Sequence, residues 1–216
     1  MRRYVAPLLL FSGVAVLGYA GFQYGAMLFA QRHLQALWRE QQKGERAAGV
    51  RTPIALRDSD LTRLSIPRLQ LSAVIVEGTD MLSLMIGPGH LTGSAQPGEP
   101  GNAVISAHRD TFFREIMALN PGDQIVIERD GRTFTYVVEG FRIVRPNDMS
   151  VAAPTADNRL TLITCDPANH LGPAPQRLVV ISKLLTTEAP PLSVQASKPH
   201  SHAPLKRAAI RKTTEQ

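Results

Sequence analysis

A stretch of 28 residues without a charged side chain, from Tyr4 to Gln31, restricts the fold of this chain more than any other feature. A helix of about 20 apolar residues crosses a hydrocarbon core about 30 Å thick, so this stretch is long enough to span a bilayer. Arg2 and Arg3 precede it, and positive residues mark the cytoplasmic flank of a span. We therefore predict a cytoplasmic tail at 1–3 and a single-pass transmembrane anchor at 4–31. The anchor contacts membrane lipid, with the N-terminus inside and the remaining chain outside the cytoplasmic membrane.

Three segments of different composition follow the anchor. Residues 32–62 are rich in charged side chains and are predicted to be a helical stalk and linker. Residues 63–185 alternate short β-type runs with Gly and Pro turns, which is typical of one folded all-β domain. Residues 186–216 contain many prolines, few apolar side chains and a basic end, which predicts a disordered basic tail.

The net charge of +6 lies on the two ends of the chain, whereas residues 63–185 are close to neutral. A phosphate-binding surface on the folded domain is therefore not expected, and no nucleic acid partner is predicted. The single cysteine excludes an intramolecular disulfide and any zinc site built from several thiolates. His200 and His202 in the tail make only a weak metal site, so no metal is predicted.

About eight strands are predicted between residues 63 and 185, with one or two short helices. The dipeptide Asp130-Gly131 indicates a hairpin, because both residues accept positive φ angles. The segments 87–101 and 167–175 are rich in Gly and Pro and are predicted to be loops. Many short strands at this spacing favour a small closed, or nearly closed, barrel.

Three side chains with complementary chemistry lie where predicted strands meet loops: Cys165, His108 and Arg177. If those strands are neighbours, the three converge at one rim of the barrel. A thiol is mostly protonated at neutral pH, and a nearby imidazolium or guanidinium stabilises the reactive thiolate. An imidazolium can protonate a departing amine, and an arginine can donate to an oxyanion. The set therefore indicates nucleophilic attack on an amide.

Each of these residues also has an alternative interpretation. A lone cysteine is more often a small buried apolar side chain than a nucleophile. His108 could be a structural strand-end histidine and Arg177 a surface ion-pair partner. His170, five residues after Cys165, is a second candidate for the base and ranks below His108.

The residues around this set resemble those of the sortases, a family of membrane-anchored cysteine transpeptidases. The resemblance lies in 161–165 (TLITC), 101–113 (GNAVISAHRDTFF) and 173–177 (PAPQR), and extends over about 64–184. The HRDTFF and GPAPQR stretches are most similar to class D. The residues after the cysteine depart from the family, because relatives often carry an aromatic side chain where Asp166 stands.

This resemblance implies an eight-stranded sortase-like closed barrel over 63–185. It implies cleavage of an LPXTG-like signal after threonine through a thioacyl enzyme on Cys165, with His108 as acid and base and Arg177 as oxyanion or positioning group. The partners implied are proteins with a C-terminal sorting signal and an amine acceptor, either a cell-wall precursor or a protein lysine. No cofactor is implied. The predicted substrate-binding positions are Thr164, Ala107, His90 and Asp166.

Two other functions stay open on the sequence alone. The first is a non-catalytic, membrane-tethered module whose β-domain binds an extended peptide by strand addition. The second is plain hydrolysis, with water in place of the amine.

Overall fold

The computed structural model describes residues 2–48, 61–167 and 172–188. Several sequence-based predictions lie outside those residues: the linker over 49–60, His170, and the tail from 189 onward with His200 and His202.

The N-terminal region is one continuous helix, α1, which comprises Arg2–Ala48. It includes the predicted anchor and the first part of the predicted stalk without a break. Its segment Pro7–Lys43 is long and apolar enough to cross a membrane, with a mean hydropathy of 1.4 in its most apolar window. None of that window is buried against the rest of the protein, so its apolar side chains are available to lipid.

Eight strands close into a barrel in the order β1-β2-β3-β4-β7-β8-β6-β5, because β5 pairs with β1. The predicted all-β closed barrel is therefore confirmed. The strands are β1 (Thr62–Ile66), β2 (Leu71–Glu77), β3 (Gly89–His90), β4 (Gly101–Ser106), β5 (Gln124–Arg129), β6 (Arg132–Val144), β7 (Asn158–Asp166) and β8 (Gln176–Glu188).

The barrel core follows from the alternation of side chains along each strand. Each of β1, β4, β5 and β7 contributes two buried apolar residues at alternate positions, which removes a continuous apolar surface from water. The core members from these strands are Leu64, Ile66, Ala103, Ile105, Ile125, Ile127, Leu160 and Leu162.

Two short elements were not predicted from the periodicity of the sequence. The helix α2 comprises Met81–Ile86, and β3 lies within the segment predicted to be a loop. β3 joins the parallel strand β2 to the antiparallel strand β4. A Cβ at Gly89 would lie 2.1 Å from the carbonyl oxygen of Gly78, so only glycine permits this close approach.

The helix α1 docks on the barrel through the amide of Gln31, which is buried. Its Nε2 donates to the carbonyl oxygens of Val74 (3.2 Å) and Ile86 (2.8 Å), and its Oε1 accepts from the backbone N–H of Val74 (3.1 Å). A Cβ at Gly87 would lie 2.5 Å from that Nε2, so the glycine makes room for the amide. One side chain thus satisfies two backbone groups of β2 and one of α2.

A second contact lies two turns further along α1. The buried ring of Trp38 packs under the guanidinium of Arg63 on β1, with 4.0 Å from Cζ to the ring centroid. Arg63 also forms an ion pair with Glu128 on β5. The helix therefore contacts β1 and β2 and is fixed to the barrel at more than one point.

We expect Gln31→Ala to lower the free energy of unfolding by about 2–4 kcal/mol, since it leaves buried backbone groups without partners. Urea unfolding of the full chain in detergent micelles, followed by Trp38 fluorescence, measures this change. The matched control is Gln35→Ala, which removes a single bond of 3.4 Å to the carbonyl oxygen of Ser72. Equal unfolding midpoints for the two variants would contradict the docking role of Gln31.

Candidate active site

The three candidate catalytic residues lie on adjacent elements at one end of the barrel. Cys165 near the end of β7 pairs directly with Arg177 near the start of the antiparallel strand β8. On its other side β7 runs parallel to β4, where Ile163 pairs with Ser106. His108 follows Ser106 by two residues, so the continued register places it beside Cys165. The strand pairing thus brings together the three residues that the sequence predicts to converge.

Cys165 and Arg177 also share one face of the sheet. Leu160 and Leu162 of β7 and Leu178 and Val180 of β8 belong to the core inside the barrel. Because side chains alternate between faces, Cys165 and Arg177 belong to the outer face. Cys165 is only partly buried, whereas its neighbours Thr164 and Asp166 are buried. The thiol is therefore accessible at the rim and is not sealed in apolar packing.

Arg177 keeps its charge available for a ligand. Its Nη1 donates to the carbonyl oxygens of Ala174 (3.3 Å) and Gln176 (2.9 Å). Within the described parts of the chain, no carboxylate forms an ion pair with it. These carbonyls orient the guanidinium without neutralising it, and its remaining N–H groups can donate to an anionic oxygen.

Thr164 and Ala107 hold the ends of β7 and β4 together. The hydroxyl of Thr164 donates to the carbonyl oxygen of Ala107 over 2.8 Å, and the N–H of Ala107 donates to the carbonyl oxygen of Ile163 over 3.2 Å. Both residues are buried. They fix the register that places His108 next to Cys165; their predicted contact with substrate stays a prediction.

Asp166 and His90 are also buried. Asp166 lies on the face opposite Cys165, as strand alternation requires. The ring of His90 uses both nitrogens within the barrel wall: Nδ1 is 2.8 Å from Oε2 of Glu77, and Nε2 is 3.0 Å from the carbonyl oxygen of Ala95 and 2.9 Å from Oγ of Ser94. These contacts describe a structural role, and substrate binding by either residue stays a prediction.

Arg109 is a residue whose role sequence reasoning missed. It follows His108, is buried, and donates to the carbonyl oxygens of Pro167 (3.0 Å) and Gly172 (3.1 Å). Pro167 comes two residues after Cys165, and Gly172 comes shortly before β8. One guanidinium therefore links the histidine turn to both sides of the cysteine loop. The signal in the sequence was a charged residue directly after a strand-end histidine.

A cavity of about 70 Å³ lies on the same outer face, further along the strands from Cys165. Its floor includes Thr161 of β7 and Val179 of β8, which lie at even spacings from Cys165 and Arg177. Asn102 of β4 holds its wall, because its amide donates to the carbonyl oxygens of Val151 (3.0 Å) and Ala153 (3.2 Å). The cavity thus lies on the face of the sheet that carries Cys165 and Arg177, and it is lined by residues of β4, β7 and β8.

Within the described residues no group of three or more His, Cys, Asp or Glu side chains is placed to hold a metal ion. The candidate residues at the rim present a thiol, an imidazole and a guanidinium.

Comparison with known proteins identifies the class to which this barrel belongs. The model of the Sortase domain matches residues 64–185. Sortase D of Bacillus subtilis (strain 168) is 30% identical over 200 residues, which cover 86% of this chain and 100% of the relative. Sortase A of Listeria monocytogenes is 26% identical over 136 residues, 61% of this chain and 60% of that protein. The chain belongs to the sortase family, whose members are cysteine transpeptidases.

Solved structures agree with this assignment. Sortase A from Corynebacterium diphtheriae superposes with a TM-score of 0.55 and 32% identity, over 58% of this chain and 60% of that chain. A Clostridium perfringens Sortase D5 transpeptidase superposes with a TM-score of 0.58 over 75% of this chain and 99% of that chain; at 23% identity it bears on the fold alone. Class D proteins are thus among the relatives, as the sequence motifs predicted.

We expect Arg109→Ala to lower the free energy of unfolding by about 2–4 kcal/mol, because two charge-assisted hydrogen bonds of a buried guanidinium are lost. Arg109→Lys should restore only part of this, since one ammonium group does not reproduce the fork of a guanidinium. Urea unfolding of the full chain in micelles measures both. The control Arg114→Ala, an exposed arginine nearby, should change stability by less than about 0.5 kcal/mol. An Arg109→Ala midpoint equal to that of the control would refute this role.

Proposed function

We propose that this sortase cleaves an LPXTG-like sorting signal after threonine and transfers the threonyl group to an amine. The observation that carries the proposal is the placement of Cys165 opposite Arg177, beside the turn of His108, on one partly exposed face. A partly exposed thiol beside an imidazole and a guanidinium is an arrangement that can stabilise a thiolate nucleophile.

The first half of the reaction forms a thioester. The thiolate of Cys165 attacks the threonine carbonyl carbon, and the carbonyl electron pair moves onto oxygen. Arg177 donates hydrogen bonds to that oxyanion. These bonds are strongest in the tetrahedral intermediate, where the negative charge on the oxygen is greatest. When the tetrahedral intermediate collapses, the C–N bond breaks and His108 gives its proton to the departing amine. The product is a thioacyl enzyme and the released C-terminal fragment.

The second half reverses these roles. Neutral His108 takes a proton from the incoming amine as the amine nitrogen attacks the thioester carbon. The C–S bond then breaks, the thiolate is regenerated, and a new amide joins the signal to the acceptor. The acceptor class is an amine of a cell-wall precursor or of a protein lysine. Water in place of the amine gives hydrolysis.

The outer-face cavity supports binding of the residues before threonine. Thr161 lies four residues from Cys165 on the same strand, which is about 13 Å at 3.3 Å per residue. An extended peptide with its threonine at Cys165 therefore reaches the cavity with a residue three or four positions upstream. The partly apolar lining from Val151, Val179 and Ile181 suits an aliphatic side chain such as the leucine of the signal.

We also propose that α1 spans the cytoplasmic membrane, with the N-terminus inside and the barrel on the extracytoplasmic side. The unburied apolar segment of α1 and the two arginines before it support this orientation. The membrane lipid is then a permanent partner of residues 4–31.

Catalysis is tested by incubating the full chain in micelles with LPXTG-like peptides and an amine, followed by mass spectrometry of enzyme and products. We expect an adduct on Cys165 that equals the peptide cut after threonine, and a transpeptidation product. Cys165→Ala should give neither. His108→Ala and Arg177→Ala should lower kcat by about 10²–10⁴, the usual loss for an acid–base or oxyanion group.

The matched controls are His33→Ala on α1 and Arg132→Ala at the start of β6, both exposed and away from the rim. Each should retain the wild-type rate. Peptide bound without any covalent adduct would instead support the non-catalytic module, and a product unchanged by added amine would support hydrolysis.

Orientation is tested on the native cysteine, which is the only one in the chain. A membrane-impermeant maleimide should label Cys165 in intact spheroplasts, because the thiol is partly exposed and faces outward. Cys165→Ser should remain unlabelled. Labelling that occurs only after lysis would reverse the proposed topology.

A further inference from the structure

The short helix α2 has an outward face made only of apolar side chains. Its two partly buried residues, Ser83 and Leu84, face the barrel. The four remaining residues are exposed, with Met81 and Leu82 at 76% and 72%. Residues three or four apart are neighbours on a helix, so the pairs Met81/Met85, Leu82/Ile86 and Leu82/Met85 join these residues into one strip. We call these four residues the α2 patch.

The outward face of α2 is therefore apolar, whereas the outward face of an ordinary surface helix is polar. Scattered apolar residues are common on protein surfaces, but a contiguous cluster marks a contact with another apolar phase.

The helix is held firmly in this orientation. The carboxylate of Asp80 caps it and accepts from the N–H groups of Leu82 (2.9 Å) and Ser83 (3.2 Å). The hydroxyl of Ser83 donates to Asp80 over 2.6 Å, and this bond lowers the pKa of Asp80, so the cap is ionised at neutral pH. The side chain of Leu84 packs near Gly89. The patch is thus presented by an ordered element.

The position of α2 beside α1 indicates which apolar environment the α2 patch contacts. The last carbonyl of α2, that of Ile86, accepts the hydrogen bond from Gln31. Gln31 is the last residue of the uncharged stretch, and Arg32 begins the charged part of the helix. The exposed side chains of Leu28 and Phe29 precede it on α1. The patch therefore lies beside α1 at the level where the helix leaves the hydrocarbon core.

We propose that the α2 patch is a second membrane contact, which inserts into the interface of the bilayer that α1 spans. The inference rests on the proposed anchoring of α1. Its occupant is lipid, because the patch continues the apolar surface of a membrane helix and lies where that surface meets the headgroups. Asp80 stays outside the strip, turned back onto Ser83.

The contact has a consequence for the site. One helix alone leaves a protein free to rotate about the helix axis, whereas a second point beside it fixes the orientation. Two residues separate the end of α2 from β3. Gly89 of β3 pairs with Ser106, which lies two residues before His108. The membrane contact is therefore joined to the catalytic rim by a short, hydrogen-bonded path, and it holds that rim at one height above the lipid.

The experiment uses the full chain with Cys165→Ser, reconstituted in phosphatidylcholine–phosphatidylglycerol vesicles. Single cysteines at Met81→Cys, Leu82→Cys or Met85→Cys carry a nitrobenzoxadiazole probe, and spin-labelled lipids quench it. Met149→Cys is the matched control, since Met149 is an exposed methionine at 69% outside the patch. Leu17→Cys reports on the span itself.

We expect quenching at Met81 and Leu82 to exceed that at Met149 by about fivefold, with shallow spin labels most effective, as for an interfacial helix. Adding Met81→Glu and Leu82→Glu should lower the quenching at Met85→Cys to the Met149 value. Persistent quenching in that variant would overturn insertion, because mere proximity would explain it. Quenching at Leu17 with none at the patch would also overturn the proposal and leave the anchor intact. Absence of quenching at Leu17 would refute the anchor and the patch together.

Discussion

β7 is held on both sides, by parallel pairing with β4 and by antiparallel pairing with β8. Parallel pairing brings the ends of β4 and β7 to the same edge, and antiparallel pairing brings the start of β8 there. A slip of one residue would turn Cys165 inward, because the side-chain period is two. Leu160 and Leu162 in the core and the bond from Thr164 to Ala107 oppose that slip. The register of β7 with β4 and β8 therefore determines which side chains lie beside Cys165 and on which face the thiol lies.

The strand ends that carry the candidate site were predictable because they follow from alternation and turn residues, which are local. β3 and α2 were not, since two paired residues and six helical residues leave no periodic signal. β3 exists because Gly89 admits the carbonyl of Gly78. The role of Arg109 was also hidden, because the burial of a guanidinium depends on where carbonyls distant in the chain, at Pro167 and Gly172, are placed by the fold.

Residues that adjoin Cys165 in the sequence are not the ones that a substrate on its face of the strand would contact. Thr164 and Asp166 adjoin Cys165, yet both are buried on the other face. Thr161, four positions away, shares the face of the thiol and lines the cavity. Substrate contacts on β7 and β8 are therefore expected at even spacings from Cys165 and Arg177, and the odd positions serve packing and register.

The anchor and the barrel form one physical unit. The three hydrogen bonds of Gln31 and the Trp38–Arg63 contact hold α1 against the barrel. A flexible tether would let the catalytic rim sample all distances from the lipid. Docking of α1 removes that freedom, so the fold itself determines where the active site lies relative to the membrane.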